Sequence, residues 1–241
     1  MRILITNDDG IAGEGLAILT EAAQKIGDVT VVAPKWEQSG KSHAIEIHEP
    51  FEVARIDYRP GVVAYTVDST PADCVRYAFC GLHETFDLVL SGINKGLNIG
   101  EDIVYSGTCG AAFEAAYFGV YSVALSTEPN AFEGIEEHLE TVYRFFREHA
   151  LFDVHRLYNV NIPRTVKGIR VTRQGGPYYK DTFSDEGNGM VLAQGYSAYR
   201  ERGDQTLDTE SVFGGYISVT PLSVGRTDES VYQSLSGLNL Q

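Results

Sequence analysis

Residues 1–34 are MRILITNDDGIAGEGLAILTEAAQKIGDVTVVAP, and this stretch decides the fold because it contains a strand, a helix and a second strand. The apolar run Arg2–Thr6 is typical of a short buried strand. In Gly15–Ile26, apolar residues recur at the spacing of one helix face. The β-branched run Asp28–Ala33 predicts the second strand, which ends at Pro34. A strand, a helix and a strand in this order predict a βαβ unit with a right-handed crossover.

The same alternation continues through the first two thirds of the chain. Val62–Val67 is strand-like, and STPADC (69–74) predicts a helix in which Thr70 and Asp73 form a capping box. Asp87–Leu90 predicts a strand bounded by Ser91-Gly92. Further elements are predicted as a strand at His43–His48, a helix at Gly107–Phe118 ended by Gly119, a strand at Val120–Ser126, a helix at Phe132–Ala150 and a strand at Leu157–Ile162. This order predicts an α/β fold with a doubly wound, mostly parallel sheet.

The composition changes from about Lys167, where Gly, Tyr and polar residues dominate. Residues 184–190, SDEGNGM, lie between two tyrosine-bearing segments and predict the tip of a β-hairpin. We expect an exposed loop at 202–210 (RGDQTLDTE), a strand at 215–222 and a short helix after Asp228.

We therefore divide the chain into an α/β catalytic core, 1–165, and a C-terminal extension, 166–241, that carries a hairpin arm. A projecting arm exposes unpaired strand edges and tyrosines unless something covers them. This predicts self-association to a dimer or tetramer through residues 178–200. The alternative is a flap that folds onto the chain's own core.

Composition and charge exclude several classes of protein. The chain has 241 residues, 43% of them hydrophobic, and a formal net charge of −14. Such acidity excludes duplex nucleic acid as a partner, because phosphate contacts require clustered Lys and Arg. Cys74, Cys80 and Cys109 form no CxxC pair and are interpreted as reduced packing residues. Without a signal-peptide pattern or an apolar run of about 18 residues, we expect a cytoplasmic protein with no membrane contact.

Four polar loops follow predicted strands or begin a predicted helix. They are NDDG (7–10), QSGKS (38–42), SGINKGLNIGED (91–102) and YSGTCG (105–110). In a parallel sheet, ligands bind beyond the carboxyl ends of the strands, where these loops are expected. None of them is a P-loop or a G-x-G-x-x-G dinucleotide fingerprint, because the glycine spacings differ.

Oxygen donors in three of these loops suit a hard divalent cation. Asp8 and Asp9 supply carboxylates, Ser39 supplies a hydroxyl, and Asn94 supplies an amide oxygen. An all-oxygen set favours Mg²⁺ or Mn²⁺ over zinc. Taken alone, an Asp-Asp pair is more often a helix cap beside a solvated charge. The prediction of one divalent cation per subunit therefore depends on all four residues together.

The loop before the helix predicted at 107 suits an anion. Ser106 and Thr108 offer hydroxyls beside the amides of a helix N-terminus, and Asn98 can donate to a phosphoryl oxygen. A cation facing this loop favours hydrolysis of a phosphate monoester, with the cation as Lewis acid. We place Asp8 and Asp9 as the catalytic residues and leave the general base unassigned.

Six segments of the chain resemble the SurE family of survival-protein nucleotidases. In order, from residue 1 to about 222, they are RILITNDDGI, VVAP, STPADCV, DLVLSGINKGLNIGED, YSGTCGAAFEAA and GYISVTPL. The resemblance implies a Rossmann-like domain that cleaves nucleoside 5′- and 3′-monophosphates, and in some members polyphosphate. It also implies a C-terminal segment exchanged between subunits.

The resemblance assigns residues to two parts of the site. The metal ligands it implies are Asp8, Asp9, Ser39 and Asn94, and the phosphate loop is Ser106, Gly107 and Thr108. The sequence departs from the family at three nearby positions, Gln38, Ser69 and Cys109, and none of these removes a proposed ligand. The arm matches only loosely.

Two other functions fit parts of the pattern. A nucleotide or anion sensor would need the anion loop but not the adjacent carboxylates. A phosphoaspartate-type phosphatase would need D-x-D after the first strand, where this chain has contiguous Asp8 and Asp9. None of the six histidines is expected to be catalytic, and His43, beside the Ser39 loop, is the best placed of them. Trp36 could stack on a base, although packing is the simpler interpretation.

Overall fold

The structure, a computed structural model, describes residues 1–238, and within them nine strands form one central sheet. The strands are β1 Arg2–Thr6, β2 Asp28–Pro34, β3 Val53–Ile56, β4 Val63–Val67, β5 Leu88–Lys95, β6 Tyr121–Thr127, β7 Leu157–Ile162, β8 Ile169–Val171 and β11 Ile217–Pro221. Their order is β3-β4-β2-β1-β5-β6-β7-β11-β8. Pairing is parallel from β4 through β7, whereas β3 and β11 run antiparallel to β4 and β7.

Helices cover both faces of this sheet. They are α1 Glu14–Gln24, α2 Pro71–Arg76, α3 Gly107–Tyr117, α4 Ile135–Glu148, α5 Leu151–Val154, α6 Asp208–Phe213 and α7 Glu229–Leu235. In β1, Ile3 and Ile5 belong to the core shared with α1 and α4, while Leu4 belongs to the core shared with α2 and α3. Because side chains alternate across a strand, each face of the sheet has its own apolar layer. The predicted doubly wound α/β fold is confirmed.

Strand β5 differs from its prediction. The sequence predicted an end at Leu90, but the strand runs through Ser91-Gly92 to Lys95, with an irregular register between Ser91 and Asn94. Gly92 has φ +139°, and a Cβ there would lie 2.2 Å from the Leu125 carbonyl oxygen. Only glycine permits this close approach to β6. As a result, Asn94 and Lys95 lie at the end of a strand rather than in a loop.

The strand predicted at 43–48 is absent, since these residues form turns and irregular chain. The segment is held by side chains at the N-terminus of α2 and does not pair with a neighbouring strand. The Thr70 hydroxyl donates to the Ala44 carbonyl, and Asp73 Oδ2 accepts the Glu46 N–H at 2.8 Å. Thr70 also caps α2 as predicted, by accepting the Asp73 N–H.

The prediction of an exposed loop at 202–210 is wrong for the second half of this segment. Leu207 is buried, and Asp208 begins helix α6 with no solvent exposure. Oδ1 of Asp208 accepts the N–H groups of Gly175 and Thr209 at 2.8 and 2.7 Å, and Oδ2 accepts the N–H of Gly100 at 3.0 Å. These three backbone donors satisfy the carboxylate and permit its burial.

Strands β9 Tyr179–Gly187 and β10 Met190–Ser197 pair with each other as an antiparallel hairpin, here called the hairpin arm. The hairpin predicted from 184–190 is confirmed, and its turn places Asn188 and Gly189 at positive φ. Most arm residues are exposed, including several large apolar side chains: Phe183, Met190, Val191, Leu192 and Tyr196. Within residues 1–238, no helix combines the length and apolar character needed to cross a membrane.

Candidate active site

A cleft of about 380 Å³ lies at the carboxyl edge of the sheet, where β1 and β5 are parallel neighbours. Six predicted site residues line it: Asp8, Asp9, Ser39, Asn94, Asn98 and Ser106. Gly107 and Thr108 lie behind them, in contact with Asp8. At the mouth, Tyr179 and Asp181 of the hairpin arm complete the lining.

Asp8 is only 4% exposed and is held from one side by helix α3. Its Oδ1 accepts the Thr108 hydroxyl at 2.6 Å, and its Oδ2 accepts the Thr108 N–H at 3.1 Å. Gly107 packs so closely that a Cβ there would lie 3.0 Å from the Asp8 Cβ. We call Asp8, Gly107 and Thr108 the Asp8 corner. Burial raises the pKa of Asp8 to about 6, although the bonds from Thr108 oppose this rise.

Asp9 is held by strand β5. Its Oδ2 accepts the Lys95 N–H at 3.2 Å, and its Oδ1 lies 3.6 Å from Lys95 Nζ. Oδ1 is buried without a hydrogen-bond partner. Burial raises the pKa of Asp9, and the contacts with Lys95 work against this effect. A buried carboxylate oxygen without a donor is the kind of atom that a cation satisfies.

The loop that carries Ser39 is tied to the site at both ends. The Gln38 N–H donates to the Asp8 carbonyl at 2.7 Å, and the Ser42 N–H donates to the Tyr105 carbonyl at 3.0 Å. Helix α3 meets this loop at Gly110, where a Cβ would lie 2.3 Å from the Ser42 carbonyl oxygen. The glycine therefore allows loop and helix to approach closely enough for Ser39 to reach the cleft.

Ser39 and Asn94 complete the set of oxygen donors. The Ser39 hydroxyl donates to Glu37 Oε1 at 2.8 Å, which lowers the pKa of Glu37. Asn94 Nδ2 donates to the Gly96 carbonyl at 2.8 Å, so the amide oxygen is the atom that can ligate. Across residues 1–238, no group of three or more His, Cys, Asp or Glu residues could hold a metal. The two carboxylates with hydroxyl and amide oxygens fit a hard divalent cation.

The N-terminus of α3 opens onto the same cleft. Ser106 caps this eleven-residue helix by accepting the Cys109 N–H at 3.0 Å. The positive end of the helix dipole favours an anion here. Thr108 uses both its hydroxyl and its N–H on Asp8 in this structure, so its predicted role in phosphate binding stays a prediction.

Asn98 is positioned by two asparagines that the sequence analysis did not select. Asn159 Nδ2 and Asn161 Nδ2 donate to the Asn98 carbonyl, and Asn161 Oδ1 accepts the Asn98 N–H at 2.8 Å. Asn98 Nδ2 donates to the Ser126 hydroxyl. The sequence could have indicated this role, because two asparagines two residues apart on a buried strand lie on the same face of the sheet and need polar partners there.

Other candidates lie outside this set. His43 Nε2 is 2.7 Å from Glu114 Oε2, and Glu114 also pairs with Arg76, so this histidine is part of a separate charged cluster. Burial raises the pKa of Cys109 to about 12, which agrees with its interpretation as a packing residue. Trp36 is exposed and does not line the cleft.

The fold and the cleft define a class, namely α/β proteins with a cluster of oxygen donors beside a helix N-terminus at the carboxyl edge of a parallel sheet. A family model described as "Survival protein SurE" matches residues 3–181. The chain belongs to this family, and the predicted resemblance is confirmed.

Individual relatives match this chain over nearly its full length. The chain is 39% identical to 5′-nucleotidase SurE of Gemmatimonas aurantiaca, with 96% of each protein covered. It is 36% identical to 5′-nucleotidase SurE of Thermoanaerobacter pseudethanolicus, with 100% of this chain and 99% of the relative covered. The crystal structure of the SurE protein from Aquifex aeolicus superposes with a TM-score of 0.82 at 34% identity, covering 99% of both chains.

Proposed function

We propose that this chain is a divalent-metal-dependent 5′-nucleotidase. The observation that carries the proposal is the convergence of Asp8, Asp9, Ser39 and Asn94 in one cleft with the N-terminus of α3. The full-length relatives named 5′-nucleotidase SurE support the same reaction.

The cation would be held by the two carboxylates together with Ser39 Oγ and Asn94 Oδ1. When bound, a divalent cation supplies Lewis-acid activation of the phosphoryl group and a fixed point for orienting it. The protein holds Asp8 in place through Thr108, and it holds Asp9 through the Lys95 N–H. Both carboxylates are therefore fixed before any substrate arrives, which removes the cost of reorganising them during the reaction.

The phosphate would bind at the end of α3. Ser106 lines the cleft where α3 begins, Gly107 is the first residue of this helix, and the helix dipole favours the negative charge of a phosphoryl oxygen there. The Asn98 side chain lines the same cleft, and its backbone is fixed by Asn159 and Asn161. These groups bind and orient the anion and stabilise charge on its oxygens as the bond to the leaving group breaks.

The finer features of the proposal are Mg²⁺ or Mn²⁺ as the ion, with 3′-monophosphates and short polyphosphate as further substrates. Their test is phosphate release from a panel of 5′- and 3′-nucleotides, sugar phosphates and tripolyphosphate, after chelation and with each metal added back. We expect nucleoside monophosphates to be preferred and activity to return with Mg²⁺ or Mn²⁺. Equal activity in chelated and untreated protein would contradict metal dependence.

The variant Asp9→Ala separates an enzyme from a non-catalytic sensor. An enzyme should lose turnover in this variant, because one of its two carboxylate ligands is gone. A sensor would keep or improve its binding of a nucleotide, since a negative charge beside the anion has been removed. Measurement of both turnover and nucleotide binding in the same preparation decides between the two.

We also propose that the hairpin arm mediates self-association to a dimer or tetramer. The support is its row of exposed apolar side chains, which a free monomer would leave in water.

A further inference from the structure

The candidate cleft is acidic, although its proposed substrate is an anion. Four aspartates line it: Asp8, Asp9, Asp102 and Asp181. In the part of the chain that the structure describes, the lining contains a single cationic side chain, that of Lys95. One divalent cation would offset only part of the aspartate charge, and a phosphate dianion would still face net repulsion.

Lys95 is the last residue of strand β5, and its ammonium group lies near two carboxylates at the proposed metal site. Its Nζ lies 3.6 Å from Asp9 Oδ1 and 3.5 Å from Glu37 Oε2. Glu37 in turn accepts the Ser39 hydroxyl. The Lys95 side chain is 54% exposed, so its ammonium group can turn within the cleft without breaking any buried packing.

The ammonium group and a divalent cation would compete for the same atom. Asp9 Oδ1 is the buried oxygen without a hydrogen-bond partner, and Lys95 Nζ is the cationic group nearest to it. Two positive centres a few ångströms apart repel each other. A cation bound at Oδ1 therefore displaces the Lys95 ammonium towards the open cleft, while Glu37 keeps it nearby.

We propose that the Lys95 ammonium group moves away from Asp9 when the metal binds and pairs instead with the phosphate of the substrate. This inference rests on the proposed function, because it requires both a cation at Asp9 and a phosphate in the cleft. Lys95 then has two effects. It weakens metal binding to the free protein, and it strengthens binding of the anionic substrate to the metal-loaded protein.

The test is Lys95→Met in the full-length protein, which removes the charge but keeps the backbone N–H that donates to Asp9. Mn²⁺ binding to the substrate-free protein is measured by calorimetry, and kcat and KM are measured with adenosine 5′-monophosphate. Because exposed ion pairs are weak, we expect Mn²⁺ affinity to rise about two- to fivefold and KM to rise by a similar factor. The value of kcat should change little, since the lost contact is made equally to bound substrate and transition state.

Two further variants control for charge and folding. Lys95→Arg keeps the charge and should restore both values towards those of the native protein. Lys25→Met removes an exposed lysine at the far end of α1 and should leave both unchanged. An unchanged or weaker Mn²⁺ affinity in Lys95→Met, or an unchanged KM, overturns the inference. Failure of the native protein itself to bind Mn²⁺ and release phosphate would instead overturn the proposed function.

Discussion

The Asp8 corner and the hairpin arm differ in what holds them. Asp8 is 4% exposed, and its two oxygens accept hydrogen bonds from Thr108, a residue of the same chain. The arm instead projects Phe183, Val191 and Leu192, which are 70%, 64% and 52% exposed. Contacts within the chain thus fix the groups proposed for chemistry, while the apolar side chains of the arm have little contact with the rest of the chain. The difference predicts that substitutions in the Asp8 corner reduce turnover, whereas substitutions in the arm weaken self-association.

The largest effect is expected in the Asp8 corner. Asp8→Asn removes a ligand charge, so turnover should fall at least about a hundredfold, in line with the several kcal/mol that a bound metal supplies. The metal-free variant should remain folded with little change in thermal stability, because the new amide oxygen can accept the Thr108 N–H and the Thr108 hydroxyl can turn to accept from the new amide nitrogen. Kinetics and thermal melting of the same preparation check both parts.

Asp181→Asn is the matched control for this variant, since Asp181 lines the same cleft from the arm but is not a proposed ligand. Its turnover should stay close to that of the native protein. Comparable losses in the two variants would remove the distinction between corner and arm.

In the arm, we expect the combined variant Phe183→Ser, Val191→Ser, Leu192→Ser to weaken self-association. Each apolar side chain buried in an interface contributes about 1 kcal/mol or more, so together they should weaken association about a hundredfold. Sedimentation velocity over a concentration series measures this change. The melting temperature of the monomer should hardly move, because these side chains are exposed within one chain.

Val154→Ser serves as the control for the arm variant, since Val154 is 79% exposed but lies on helix α5. Its association should match that of the native protein. If the arm variant associates as tightly as the control, the arm is not the interface.

An intermediate effect is expected at Asp208, which lies between the two regions in the chain's network of hydrogen bonds. It binds Gly100, within the 91–102 segment that carries Asn94 and Asn98, and Gly175, in the chain that leads into the arm. Asp208→Asn replaces one acceptor oxygen by a donor and should reduce the free energy of unfolding by about 1–3 kcal/mol. Denaturant unfolding at neutral pH measures the loss. A stability equal to that of the native protein would show that these bonds do not stabilise the packing of the two segments.

The smallest effect is expected for Thr108→Val, which removes the hydroxyl donor to Asp8 Oδ1 but keeps the backbone donor to Oδ2. The loss should be about 1 kcal/mol of stability, with a severalfold weaker affinity for Mn²⁺. Calorimetry and chemical unfolding together measure these changes. An affinity equal to that of the native protein would mean that the backbone bond alone orients Asp8.

The sequence predicted what depends on local pattern. The strand, helix and strand of residues 1–34 follow from periodicity. The grouping of Asp8, Asp9, Ser39 and Asn94 follows from the rule that parallel strands end at one edge. The extension of β5 to Lys95 was missed because it depends on the approach of Gly92 to Leu125 in another strand.

Roles that depend on distant contacts were also missed. Asp208 binds a backbone group 108 residues away, and Asn159 and Asn161 bind Asn98 across 61 and 63 residues. No local pattern in RGDQTLDTE distinguishes a buried carboxylate that accepts three backbone donors from a solvated one. Such roles become visible only when the segments are placed together.

The lining of the cleft comes from two parts of the fold, the α/β core and the hairpin arm. The proposed ligands and phosphate loop end at residue 108, whereas Tyr179 and Asp181 at the mouth belong to the arm. Substitutions of Tyr179 or Asp181 can change the shape and charge of the mouth without touching the proposed metal ligands. The architecture therefore places the residues that could set substrate range on a different part of the chain from the proposed metal ligands.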